Sequence, residues 1–208
     1  MTETPNEFIH RYVPGKSQDG ETILVLHGTG GNEEDLIPLA QELAPDANIL
    51  SPRGKALEFG APRFFRRLAE GVFDHEDLVA RTHELAAFVR WAAGEYSFDP
   101  KKLVAVGYSN GANIAGSLML FHPDLISGAI LFRAMVPFEP EDELPDLGGV
   151  GVFIGAGTAD QMIPQDQTRR LAEILTESGA KVDLRWKDTG HGLTREEVEE
   201  AKEWLAAR

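Results

Sequence analysis

A chain of 208 residues, 42% hydrophobic and 26% charged, is long enough for one sizeable core and short for two. Its formal net charge of −14 would repel the phosphates of nucleic acid and of anionic membrane surfaces, and it identifies no substrate. With no cysteine there is no disulfide, no thiolate metal site and no cysteine nucleophile.

Residues 1–6 are polar and lack the basic and apolar regions of a signal peptide. No apolar run approaches the roughly 20 residues that span a bilayer. A cytoplasmic location without stable membrane insertion is therefore expected. Residues 8–13 alternate as an edge strand, and 14–20 form a turn. Residues 21–26 become continuously apolar, as in a strand covered on both faces. They end in His27-Gly28-Thr29-Gly30-Gly31. Asn32 suits a helix cap, with Glu33, Glu34 and Asp35 in the first turn. Pro38 kinks that helix or starts a second one. Residues 47–50 are a short strand, and 55–71 read as an irregular excursion without a clean period.

Residues 74–93 form a helix with Leu78, Leu85, Val89 and Ala92 on one face. Residues 103–107 are a strand, and 110–121 a small-residue helix. Residues 128–132 are the next strand, and 137–149 an acidic loop. The strand at 150–154 leads to Gly155-Ala156-Gly157-Thr158-Ala159-Asp160. Pro164 can open a helix that Gly179 ends. The strand at 182–186 leads to Thr189-Gly190-His191-Gly192. A capping box, Thr194 with Glu197, starts a last helix that buries Val198, Ala201 and Leu205.

Strands alternate with helices throughout, so the expected fold is α/β: one domain over residues 1–208, with a mostly parallel central sheet and helices on both faces. About six to seven strands are legible. In such sheets ligands bind beyond the carboxyl ends of the strands. Those ends carry His27-Gly28-Thr29, Arg53, Ser109, Asp160 and His191.

The stretch L-V-A-V-G-Y-S-N-G-A-N-I-A-G at 103–116 contains a G-x-S-x-G. A sharp turn from an apolar strand to a small-residue helix would strain Ser109 and lift its side chain clear of the backbone. The same stretch could be an ordinary glycine-rich turn with an exposed serine. A hydroxyl becomes nucleophilic when a base takes its proton, and the base needs a group that fixes its tautomer. Strand ends supply these in the order Ser109, Asp160, His191. A lone Asp at a strand end is usually a turn former, and a lone loop His is usually solvated. Three of them at ordered strand ends reverse that reading. His10, His75, His83 and His122 lack such placement, and His27 more simply supports the backbone of its turn. The oxyanion of a tetrahedral intermediate needs two donors. The backbone N–H groups of Asn110 and Thr29 are the candidates.

These residues resemble the α/β-hydrolase superfamily, and within it the small carboxylesterase/phospholipase-type serine hydrolases. The carrying motifs are L-H-G-T-G-G (26–31), G-Y-S-N-G-A-N-I-A (107–115), G-T-A-D-Q-M-I-P (157–164) and G-H-G (190–192). S-P-R-G (51–54) and R-F-F-R-R (63–67) further resemble a hydroquinone-linked, MhqD-like bacterial branch. The resemblance implies esterase activity on small or medium acyl or aryl esters, no cofactor, and little or no lid. The full superfamily fold has more strands than are legible here; the missing ones would be N-terminal and remote from the chemistry.

Phe64, Phe65, Met135 and Met162, with Val136 and Phe138, could form an apolar acyl pocket or simply pack the core. Arg53, or one of Arg63, Arg66 and Arg67, could contact a carboxylate or polar head of the substrate. They could equally pair with Glu58, Glu70 and Asp74. Exposed apolar surface would also allow a homodimer. Competing functions are weaker. Neither Gly28-Thr29-Gly30 nor Gly155-Ala156-Gly157 completes a dinucleotide fingerprint. The six His are scattered, so no metal site is expected. Acyl transfer, thioester or lysophospholipid cleavage would use the same three residues, whereas a ligand-binding module without turnover has no need of all three.

Overall fold

The apolar runs of the sequence become the middle of a seven-stranded sheet in the computed structural model, which describes residues 8–140 and 143–208. Residues 1–6 and positions 141–142 of the acidic loop lie outside the described residues. In chain order the elements are β1 (His10–Val13), β2 (Thr22–Leu26), α1 (Ile37–Leu43), β3 (Asn48–Pro52), β4 (Ala56–Glu58), β5 (Ala61–Arg63), β6 (Arg67–Ala69) and β7 (Val72–Phe73). There follow α2 (His75–Tyr96), β8 (Leu103–Tyr108), α3 (Asn110–Phe121), β9 (Gly128–Phe132), β10 (Gly151–Gly157), α4 (Gln165–Glu177), β11 (Lys181–Lys187) and α5 (Arg195–Ala206).

The central sheet runs β1-β3-β2-β8-β9-β10-β11. Only the edge pair β1–β3 is antiparallel; the other pairings are parallel. Side chains alternate across the sheet with period two. Leu24, Leu26, Ala105 and Leu131 enter one core, beneath α2, α3 and α4. Ile23, Val25, Val104 and Ile130 enter the other, beneath α1 and α5. Both faces being covered explains why these strands read as continuous apolar runs. Each fully buried Leu or Ile contributes roughly 1.5–3 kcal/mol.

The helix expected from Asn32 starts later. Residues 33–36 form turns, and α1 begins at Ile37 with Pro38 in its first turn. A helix from Asn32 would need an N–H at position 38 to donate to Glu34, and proline has none. Residues 55–71 are not irregular either. They form two short hairpins, β4–β5 and β6–β7. The first turns through Phe59 and Gly60, both at positive φ (49° and 86°), as a two-residue hairpin turn requires. Phe-Gly lacks the usual Asn-Gly or Asp-Gly signature, so the pattern hid it. Asp74 caps α2 by accepting from the Asp77 amide, and Thr194 and Glu197 form the expected capping box on α5.

Candidate active site

Ser109 sits between β8 and α3 at φ 53°, ψ −116°. A non-glycine residue holds such a conformation at a cost of about 1–3 kcal/mol, which the surroundings must impose. They do so through two glycines. A Cβ on Gly111 would lie 2.0 Å from the Leu26 carbonyl oxygen, and one on Gly107 would lie 2.6 Å from the Ala112 nitrogen. Ser109 donates its amide to Phe132 O at 2.8 Å, so it continues the ladder to β9 while its side chain turns outward.

His191 Nε2 lies 3.0 Å from Ser109 Oγ, and His191 Nδ1 lies 2.8 Å from Asp160 Oδ2. Ionised Asp160 can only accept, which assigns the proton to Nδ1 and leaves Nε2 to accept from the serine hydroxyl. Asp160 Oδ1 accepts from the amides of Met162 and Ile163 at 2.8 and 3.1 Å. The Asp160 side chain is 1% exposed and the His191 side chain 20%, so the carboxylate is sheltered and the imidazole is partly exposed. Two further carboxylates lie close in the chain: Asp188, which accepts from the Thr158 hydroxyl, and Asp166 in the first turn of α4.

Thr29 and Asn110 flank the serine. Asn110 is the first residue of α3, where N–H groups have no acceptor within the helix. The amides of Gly30 and Gly31 are committed to Pro62 O and Gly28 O. The side chains of Thr29 and Asn110 tie the site to the hairpins. Thr29 Oγ1 accepts from Arg63 at 2.6 Å, and Asn110 Oδ1 accepts from the Phe64 amide at 2.7 Å. His27 supports its loop, as expected. Its Nδ1 donates to Gly28 O at 2.7 Å, and its Nε2 accepts the Gly54 amide at 2.9 Å. Burial holds its pKa below the ordinary histidine value.

Beside Ser109 lies a cavity of about 30 Å³ lined by Thr29, Arg63, Arg67, Asn110, Asn113, Met135 and Met162, among others. Arg53, Phe64 and Phe65 do not line it. Phe64 and Phe65 are 2% and 0% exposed and belong to the core. Arg53 is turned to Glu33 and donates twice to its carboxylate, at 2.5 and 2.8 Å. Arg63 and Arg67 do reach the cavity, both paired with Glu58, while Arg66 pairs with Asp74. Phe138 lines a separate hollow of about 410 Å³ with His75, Val79 and Phe121, among others, and Ser109 is not part of that lining.

Sequence reading missed Arg133, at the end of β9. It is buried against Glu197 with both side chains 0% exposed, and it donates to three carbonyls of the loop around His191. A lone arginine inside the apolar run I-L-F-R-A-M-V was the available signal, because a buried charge must be paired.

The sheet order and the strained serine turn define an α/β hydrolase. Residues 53–208 match the dienelactone hydrolase family, and the chain belongs to that family. It is 49% identical over 195 residues to the Bacillus subtilis protein named "Putative hydrolase MhqD", covering 94% of this chain and 96% of that one. A crystal structure of a Bacillus cereus carboxylesterase, 48% identical, superposes with a TM-score of 0.94 over 97% of this chain and 95% of that chain. A carboxylesterase from Mesorhizobium loti, 32% identical, does so with a TM-score of 0.89 over 100% and 98%. Among the described residues, no helix is long and apolar enough to cross a membrane.

Proposed function

We propose that this hydrolase is a serine carboxylesterase that cleaves short acyl esters through an acyl-enzyme. The observation that carries the reading is the hydrogen-bonded series Ser109–His191–Asp160 on a strained strand-to-helix turn. Ser109 Oγ attacks the ester carbonyl while His191 Nε2 takes its proton. Asp160 holds the imidazole and stabilises its positive charge. The N–H groups of Thr29 and Asn110 receive the oxyanion. The tetrahedral intermediate collapses, and the leaving alkoxide departs with the proton held by His191. Water, deprotonated by His191, then attacks the acyl carbon and releases the acid and Ser109.

The small cavity beside Ser109 supports short acyl groups over long ones. The similarity to two carboxylesterases supports ester chemistry. A panel of p-nitrophenyl esters of rising acyl length tests both parts. Acetate and propionate should give the highest kcat/KM, with a burst of p-nitrophenol equal to the enzyme concentration wherever deacylation limits. A fluorophosphonate should label wild type at Ser109 and leave Ser109→Ala unlabelled. Turnover that survives Ser109→Ala would overturn the reading.

A further inference from the structure

His191 stands between two glycines, in a loop whose backbone has unusual freedom. Its placement must therefore come from outside the loop. Arg133 reaches it from the end of β9, at φ 55°, a conformation that costs a non-glycine residue energy. All five N–H groups of the guanidinium are used. Nε donates to Gly190 O and His191 O, each at 3.1 Å. Nη1 donates to Gly155 O at 3.1 Å and Glu197 Oε1 at 2.6 Å. Nη2 donates to Gly192 O at 2.5 Å and Glu197 Oε2 at 2.9 Å.

The guanidinium thus grips three consecutive carbonyls, 190 to 192, and ties them to β10 and to α5. Glu197 is itself fixed, because its Oε2 also accepts from the Thr194 amide and hydroxyl at 2.9 Å each. The Tyr108 hydroxyl adds a second donor to His191 O at 2.9 Å. Packing alone does not call for this arrangement. A buried ion pair can often be exchanged for apolar side chains of similar volume without loss of stability. What an apolar side chain cannot supply is a planar fork aimed at several carbonyls at once.

We propose that Arg133 is a positioning residue: held by Glu197, it sets the His191 imidazole within reach of both Ser109 and Asp160. It touches neither substrate nor reacting atoms. The inference rests on the reading of His191 as the general base.

The test compares wild type, Arg133→Lys, Glu197→Gln, His191→Ala and the double variant Arg133→Lys/His191→Ala, using p-nitrophenyl acetate and thermal unfolding. Lysine keeps a charge opposite Glu197 but has no fork. Glutamine keeps one acceptor oxygen, which in the place of Oε2 still serves Thr194 and Arg133 Nη2, and sets an NH2 donor where Oε1 accepted from Nη1. Arg133→Lys should lower kcat by about 10- to 100-fold with KM within about twofold, as misplacement of a reacting group by about 1 Å does. Glu197→Gln should lower Tm with a much smaller loss of kcat. Adding Arg133→Lys to His191→Ala should cost little further rate. The proposal is overturned if Arg133→Lys retains kcat, if kcat simply follows Tm in both variants, or if the arginine costs the same factor without His191. If Arg133→Lys does not fold, Arg133→Met/Glu197→Leu, which removes both charges, carries the same comparison. Full activity of His191→Ala would instead sink the base assignment and leave the clamp geometry untouched.

Discussion

Asp160 and His191 meet at 2.8 Å although 31 residues separate them. They meet because β10 and β11 are parallel neighbours, so the loops that follow them leave the sheet side by side. The Asp160 carboxylate is then divided, one oxygen to two backbone amides and the other to the imidazole. Asp160→Asn should leave the fold intact but allow the wrong imidazole tautomer. By analogy with serine-protease triads the loss in kcat is on the order of 10⁴-fold. His191→Ala should lose a comparable factor, and the double variant should lose no more than the worse single one. Circular dichroism must show all three folded. A double variant that loses the product of the two factors would mean that the residues act independently.

The serine turn makes a steric prediction. A Cβ at Gly111 would sit 2.0 Å from Leu26 O, whereas one at Gly116 would meet Leu171 Cδ1 at an ordinary 3.6 Å. Gly111→Ala should destabilise the protein by about 1–3 kcal/mol or more and abolish fluorophosphonate labelling. Gly116→Ala, inside α3, should be neutral or stabilising by up to about 1 kcal/mol. Equal tolerance in chemical denaturation would show that the turn relaxes more easily than its geometry implies.

His27 gives a pH dependence. Burial lowers its folded-state pKa, against an unfolded value near roughly 6.5. The unfolded chain therefore binds more protons, and the stability this histidine contributes is complete above that value. It declines as the pH falls through about 6.5 towards the lower folded pKa, because the Nε2 that accepts from Gly54 must then carry a proton. Tm measured from pH 8 down to 5 should fall, and His27→Gln should flatten that part of the curve. Parallel curves for the two proteins would exclude His27 as the source.

Arg53 should behave as a structural residue. Its two hydrogen bonds to Glu33 join the strand end of β3 to the turn before α1, and they draw the Glu33 carboxyl below its usual pKa. That contribution is present above the ordinary carboxylate range and is lost as the pH falls through the lowered value. Arg53→Ala should reduce Tm at neutral pH and change kcat/KM for neutral and anionic esters in the same proportion. A selective loss on anionic esters would return Arg53 to the substrate.

Much of this protein was legible because its signals are local. The turn at Ser109 needs two glycines within five residues, and a sheet covered on both faces writes unbroken apolar runs such as L-V-A-V. The order Ser109, Asp160, His191 followed from the ends of three strands, β8, β10 and β11. The hairpins in 55–71 were not legible, since Phe59 takes positive φ without the residue types that advertise it. The residues around the cavity were only partly legible, for another reason: Met135 and Met162 line it, whereas Arg53, Phe64 and Phe65 do not. An aromatic side chain near a site in sequence can face either the core or the cavity, and Phe64 and Phe65 face the core.

By itself the sequence determined the alternating architecture, the strained serine and the identity of its two partners, because each depends on residue type at a strand end. Only the tertiary structure decided which charges meet. Arg133 and Glu197 are 64 residues apart, and Arg53 and Glu33 are 20 apart. An ion pair depends on Coulomb attraction and desolvation over a few ångströms. Those distances exist only once the sheet has ordered its strands, so no local pattern in the chain encodes them.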